Sequence, residues 1–341
     1  MITEEQEMAR TVRRATATKE KEGAKPTAAK RTTTKKTAQT SQSQSQAQIA
    51  TVPDKKFLEE YVTRKVGNLS EFEIFEAAYR LKHNVLIEGP TGTGKTSSIL
   101  AYAAYKNLPF YSVSSSNGTE PTQLFGKYIP DGNGGFVWQD GPVTDLVRHG
   151  GVLLINEVNF IPDRVKTVLF GLLDKRRKIE LVDHQSEVIY APDNFIVFAD
   201  MNPDYEGTRP LNKAFRNRFA TQLHFDYDSK IESRLVSSKS LLELSGQLRD
   251  QIAQGLFDTP VSTNMLIEFE EAARELNVAF AIHNFVNHFP QDDRAAIKQV
   301  FDTWQSNIEA DFANPDAKPE PETSFNEDWG LEGVDWVYEE E

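Results

Sequence analysis

The run Gly89-Pro-Thr-Gly-Thr-Gly94-Lys95-Thr96 constrains the fold of this chain more than any other segment. It matches G-x-x-x-x-G-K-[ST], follows the apolar run Val85-Leu86-Ile87 and opens a helix-compatible stretch, Thr96 to Tyr105. A strand, a glycine loop and then a helix form the context in which this pattern is a phosphate cradle. Gly89, Gly92 and Gly94 let the backbone of the loop, which runs through Pro90, Thr91 and Thr93, curl so that its successive N–H groups (Pro90 has none) face inward toward a β-phosphate. The N-terminus of the helix adds about half a positive charge at the same place. Lys95 is expected to reach the β- and γ-phosphates, with the Thr96 hydroxyl on Mg²⁺. The expected ligand is ATP or GTP.

The remainder of the body alternates helix and strand. Lys56 to Val66 and Ser70 to Lys82 read as amphipathic helices, the second capped by Ser70 with Glu73 three residues on. Further strands are expected at Phe110–Val113, Gly151–Ile155, Phe195–Ala199 and Gln222–Phe225, with a helix at Arg164 to Arg176. Two of these strands, Gly151–Ile155 and Phe195–Ala199, are apolar throughout, as strands covered on both faces should be. Such alternation predicts a parallel sheet wrapped by helices. Asp131-Gly-Asn-Gly-Gly135 is a strong turn signal ahead of Phe136-Val137-Trp138, and Lys178–Leu181 with Glu187–Tyr190 frame a second turn. Two hairpins are therefore expected to interrupt the α/β core. After Phe225 the strands stop, and 229–313 reads as helices alone.

Charge separates this body from two tails. Residues 1–56 hold 12 Lys/Arg and 6 Asp/Glu, a balance of +6, and residues 314–341 hold one Lys and 10 Asp/Glu, a balance of −9. With a net charge of −13 over 341 residues, the middle carries −10. Thr16 to Ala50 is Thr, Lys, Ala, Ser and Gln with almost no apolar residues, a composition expected to stay disordered. Its basic part, Arg10 to Lys36, is either a solvated tether or a contact for nucleic acid or an acidic partner. The acidic tail carries Phe325, Trp329, Trp336 and Tyr338, which suits docking to a partner or to the body as well as a passive solubilising role. The chain has no cysteine, so disulfides and thiolate metal sites are excluded. It has no apolar run of 18 residues and no signal-like apolar segment after its acidic start, so a cytoplasmic protein without a membrane contact is expected.

The third strand ends in Asn156-Glu157. The strand beside a phosphate loop usually ends Asp-Glu, with Asp holding Mg²⁺ through water and Glu polarising the attacking water. Glu157 stands where that base belongs. Asn156 offers Mg²⁺-bound water a carbonyl but no charge, which predicts slower hydrolysis and weaker Mg²⁺ affinity. The fourth strand runs into Asp200-Met-Asn202-Pro203, whose Asn202 is suited to orient the lytic water. Arg216 and Arg218 stand at a helix end before a strand, suited to reach the γ-phosphate held by a neighbouring subunit.

Together these residues resemble the AAA+ ATPases, and within them the MoxR-like and dynein-related branch with its CbbQ/NorQ, gas-vesicle GvpN and cobaltochelatase CobS-type members. The resemblance covers about 57–310 and rests on Gly89–Thr96, Gly126 to Gly151, Leu153–Asn159, Phe195–Pro203 and Ala214–Phe219. It implies a phosphate-loop αβα sandwich over 57–226, a small all-helical lid over 227–313, and tails at 1–56 and 314–341. It also implies a ring homo-oligomer, commonly a hexamer, with ATP and Mg²⁺ between subunits. In it Asn202 would be the γ-phosphate sensor and Arg218 the arginine finger, with Arg216 second. The Gly-Phe-x-Trp-x-x-Gly-Pro stretch at 135–142 looks like the branch's helix-2 hairpin, and 179–190 like its pre-sensor hairpin. The chain departs from the pattern at Asn156 and at Phe160, where Arg commonly follows Asn159. It departs again at Ser262-Thr263-Asn264, where the lid's arginine is expected. The implied function is remodelling or activation of a protein client, in related systems beside a von Willebrand A domain partner. The alternatives are a nucleic-acid-handling motor of McrB or phage type, and an ATP-gated assembly scaffold with weak hydrolysis.

Overall fold

The computed structural model describes residues 50–114, 118–202 and 211–313. The expectations for residues 1–49 and 314–341 and for Pro203 lie outside them. The packed chain starts at Ala50, which is buried, and Thr51 bridges to Phe110, so the body begins before residue 57. Helix α1 (Lys56–Glu59) is a single turn, not the helix to Val66 that the sequence suggested. It has no side-chain cap. Residues 60–64 instead run on to β1 (Lys65–Val66), which pairs with β2 (Leu69–Ser70). Helix α2 (Glu71–Leu81) begins with the expected capping box: the Glu73 N–H donates to Ser70 Oγ, and Ser70 N–H to the Glu73 carboxylate. Such caps contribute about 1 kcal/mol.

Strand β3 (Val85–Glu88) leads through the glycine loop to α3 (Lys95–Tyr105) and β4 (Phe110–Ser114). Next come α4 (Pro121–Phe125) and the antiparallel hairpin β5 (Gly126–Pro130) with β6 (Phe136–Asp140). Helix α5 (Pro142–His149), β7 (Gly151–Asn156), a 3-10 turn at Val158–Phe160 and α6 (Asp163–Leu173) follow. The second hairpin, β8 (Lys178–Leu181) with β9 (Glu187–Tyr190), stands where expected, ahead of β10 (Phe195–Met201). Helix α7 (Lys213–Arg216) and β11 (Thr221–His224) complete the α/β part. The rest is helical: α8 (Ser229–Leu235), α9 (Lys239–Ala253), α10 (Thr263–Glu275), α11 (Val278–Asn287) and α12 (Arg294–Phe312).

The main sheet has the order β11-β3-β10-β7-β4 and all its pairings are parallel. The period-2 alternation of strand side chains sorts its residues into two cores. Leu86, Leu153, Ile155, Val197 and Ala199 join one cluster with residues of α4, α5 and α6. Val85, Ile87, Val152, Leu154, Ile196 and Phe198 join the other with α2 and α3. In that second cluster Phe75 and Tyr102 meet the Phe198 ring edge-on, at 4.9 and 5.9 Å between centroids. Full burial of each such side chain contributes roughly 1.5–3 kcal/mol, so the sheet's centre is its most secure part. The lid has its own core around Leu244, Leu266, Phe269, Phe285 and Phe301. The result is a three-layer αβα sandwich followed by a helical lid.

Candidate nucleotide site

All strands of the main sheet run the same way, so the C-terminal ends of β3, β10 and β7 lie side by side. Crevices at such ends are where open α/β sheets take ligands. Here a polar cavity of about 250 Å³ is lined by the glycine loop from one side and by Asn156, Glu157, Asp200 and Asn202 from the other. The N-terminus of α3 opens into it. Asn264, in the first turn of α10, lines its lid side.

The loop is braced from outside. At Gly89 (φ 155°) a Cβ would stand 1.9 Å from the Phe225 carbonyl oxygen, so the backbone just past β11 leaves no room for a side chain. At Gly92 (φ 69°) a Cβ would stand 2.6 Å from Cβ of Ser262, the N-cap of α10. This second glycine is thus required by lid packing as well as by backbone curl. Arg64, which is buried, donates to the Thr93 carbonyl at 3.0 Å and the Asp226 carbonyl at 2.7 Å and lies over the Phe225 ring. Tyr227 Oη donates to the Thr91 carbonyl at 3.0 Å, and the Thr93 hydroxyl to the Pro90 carbonyl at 3.0 Å. Loop, sheet and lid are therefore tied before any ligand arrives.

Lys95 Nζ donates to the Gly89 carbonyl (2.8 Å), the Pro90 carbonyl (2.7 Å) and Asn202 Oδ1 (2.7 Å). An ammonium has three N–H bonds, so all are engaged, one of them on the proposed sensor. Burial pushes this ammonium down to about 8, while Asp200 and Glu157 pull it the other way. The sign matters for binding. The charged form attracts phosphate and prevails below pH 8, and bound phosphate would hold the proton. Affinity for a non-hydrolysable ATP analogue should therefore fall as pH rises from about 8 to 9.5, approaching tenfold per unit. Calorimetric titration across this range checks it; a flat affinity would mean that the ammonium keeps its proton.

Glu157 is exposed at the cavity and holds a left-handed backbone conformation (φ 53°, ψ 53°). That geometry costs a non-glycine residue about 1–2 kcal/mol. Its N–H donates to Asp200 Oδ1 at 2.7 Å, which fixes the turn. Asp200 was not singled out from the sequence, yet it sits at the centre of the site. It is buried, and its Oδ2 accepts from Thr96 Oγ1 at 3.2 Å. The Asn156 amide, oriented to donate, reaches both its oxygens at 2.8 and 3.0 Å. Burial raises the Asp200 carboxyl, opposed by the Glu157 N–H and by Lys95.

Neither Arg216 nor Arg218 lines this cavity. Arg216 pairs with Glu88 at the end of β3, at 2.7 Å. Arg218 lies 4.2 Å over the Phe170 ring and donates to the Ala214 carbonyl, and Asp174, whose carboxyl Arg176 holds below the usual carboxylate range, feels its charge as well. Arg274, near the C-terminal end of α10, is engaged by Glu270 (2.8 Å) and Ser237 (2.6 Å) away from this cavity. At the position where the resemblance implies the lid's arginine, Asn264 stands at the cavity edge.

A second cavity, of about 160 Å³, shares Gly92, Gly94, Ser97 and Asn264 with the first. Its walls include Val62, Ile231, Leu235 and Ile267. An apolar slot beside a phosphate cradle suits a nucleobase. The combined donor set of loop N–H groups, a lysine, a helix N-terminus and a carboxylate beside a hydroxyl fits a triphosphate with a hard cation. Mg²⁺ is usually held through one or two carboxylates and the substrate's own phosphates.

The chain is similar to several known proteins. A family model described as AAA domain (dynein-related subfamily) matches residues 84–219. An uncharacterized protein of Staphylococcus epidermidis is 30% identical over 246 residues, covering 67% of this chain and 93% of that one. An uncharacterized protein of Staphylococcus aureus strain USA300 is 34% identical over 193 residues, covering 55% and 73%. A solved structure from Cytophaga hutchinsonii is 18% identical, covers 70% of this chain and 89% of that chain, and has a TM-score of 0.38.

Proposed function

We propose that this chain, whose residues 84–219 match the AAA domain of the dynein-related subfamily, is a MoxR-like, Mg²⁺-dependent ring ATPase that remodels or activates a protein client. The observation that carries this reading is the meeting of Lys95, Thr96, Glu157, Asp200 and Asn202 at one cavity while both candidate arginines stand away from it. Bound Mg²⁺ would neutralise charge on the β- and γ-phosphates. Lys95 exchanges its contacts with the loop carbonyls for phosphate oxygens. Asn202, freed from Lys95, orients a water near the γ-phosphate. Glu157 takes that water's proton. The slot beside Val62 and Ile267 holds the base.

A site with its cations on one side only is incomplete until another subunit supplies positive charge opposite. Arg216 is engaged by Glu88, which leaves Arg218 better placed to serve a neighbour. Turnover per subunit should therefore climb with protein concentration. Arg218→Ala should bind ATP as the natural chain does and lose that concentration-dependent turnover by about 10³-fold, the scale of an arginine finger. Steady-state ATPase over a dilution series tests both points. A rate per subunit independent of concentration would overturn the ring reading, and unchanged turnover in Arg218→Ala would move the finger to Arg216.

A protein client is favoured by the two hairpins. Trp138 stacks on His184 at 4.7 Å, and Arg148 joins Asp140 to Glu187 with contacts of 2.6 Å, so the hairpins form one unit. That unit exposes Phe136, Val137, Val182 and Tyr190, apolar side chains with no partner to cover them among the described residues. Exposed apolar patches of this kind mark interaction sites. A nucleic-acid client would need a basic surface, and the body's balance is −10.

A further inference from the structure

We infer that Asp200, on β10, supplies the carboxylate of the Mg²⁺ site that Asn156, on β7, does not. The inference rests on the reading of this cavity as a nucleotide site and assigns its cation contact. Strands β10 and β7 pair in parallel with Ala199 opposite Ile155, so Asp200 and Asn156 come next along the same ladder. By strand alternation both follow Phe198 and Leu154, on the face that α3 covers. The carboxylate has thus been displaced sideways by one strand spacing, about 4.8 Å, toward β3 and the glycine loop.

Three contacts show what the displaced group does. Its Oδ2 lies 3.2 Å from Thr96 Oγ1, the hydroxyl that the motif assigns to the cation. Its Oδ1 accepts the Glu157 N–H at 2.7 Å, so one residue both faces the cation position and fixes the residue that handles the water. Asn156, with its amide nitrogen turned to Asp200, leaves its carbonyl oxygen as the only group it can offer to a cation-bound water. The Asn–Asp pair therefore holds one negative charge, as an Asp beside a neutral residue would. Asp200 is only 3% exposed, and the protein cation whose charge offsets it is Lys95, the same ammonium that the phosphates would draw away.

The test is Mg²⁺ dependence of ADP binding by the full chain, read with a fluorescent ADP from EDTA buffer upward, with Mn²⁺ paramagnetic resonance on the ADP complex as a second readout. Asp200→Asn should still bind ADP in EDTA, and no more weakly than the natural chain, because an amide oxygen still accepts from Glu157 and the carboxylate that repels metal-free phosphate is gone. Its Mg²⁺ midpoint should rise about tenfold or more, the range for losing a group that orients a metal's ligands. The swapped pair, Asn156→Asp with Asp200→Asn, should return the midpoint to within about threefold, restoring one carboxylate in the pair. An unchanged midpoint in Asp200→Asn overturns the inference. So does a loss of affinity equal in EDTA and in Mg²⁺, which would mark Asp200 as a purely structural brace. Absence of ADP binding by the natural chain at any Mg²⁺ concentration would instead overturn the nucleotide reading itself.

Discussion

Glu157→Gln is expected to hold ATP and to lose hydrolysis by about 10²–10⁴-fold, the usual contribution of a positioned general base. The substitution keeps shape and removes only the ability to take a proton. Its backbone should stay in place, because the N–H that Asp200 holds belongs to the main chain and not to the side chain. Ground-state binding should therefore survive. The ATP-bound oligomer should persist, since the step that would release it no longer runs. Single-turnover hydrolysis with labelled ATP and light scattering of the same sample read both halves. Normal hydrolysis by Glu157→Gln would remove this residue from the role of base.

Much of this site could be read from the chain because its parts are local. The glycine loop, the Ser70 cap and both hairpins are contiguous signals whose meaning does not depend on what packs beside them. The strands Gly151–Ile155 and Phe195–Ala199 read correctly because a strand buried on both faces must be apolar throughout. Asp200 escaped notice for the opposite reason. Its role depends on which strand lies between β3 and β7, and the sheet order that puts β10 there is a tertiary fact. Asn156 taken alone suggested a weakened metal site, whereas beside Asp200 it is half of a pair that keeps its charge. Arg64 was hidden inside a stretch with helical spacing. The pull of the phosphate loop's Thr93 carbonyl and of Asp226 gives that stretch an extended path across the loop instead. The resemblance ranks Arg218 ahead of Arg216 as the finger, but the contact that engages Arg216 comes from Glu88, 128 residues away, and no local signal carries it.

Lys95→Ala should show the largest loss of nucleotide affinity of any single change in this chain. Two phosphate contacts from an ammonium contribute about 1.5–3 kcal/mol each, so binding should weaken by at least about a hundredfold. The charge balance makes the loss worse. Without the ammonium, Asp200 and Glu157 face an incoming triphosphate with no protein cation between them. The empty protein should suffer less. Burial already penalises this ammonium, so its removal relieves a desolvation cost that offsets the loss of its bonds to Gly89, Pro90 and Asn202. Thermal melting separates the two effects, because a ligand that binds only the folded state raises the melting point in proportion to the logarithm of its saturation. The natural chain should melt several degrees higher in Mg-ATP than without it. Lys95→Ala should melt close to the ligand-free natural chain whether or not Mg-ATP is present. A full ATP-induced shift in Lys95→Ala would place the nucleotide outside the Gly89–Thr96 loop, and Glu157, Asn202 and Arg218 would lose their assigned roles with it.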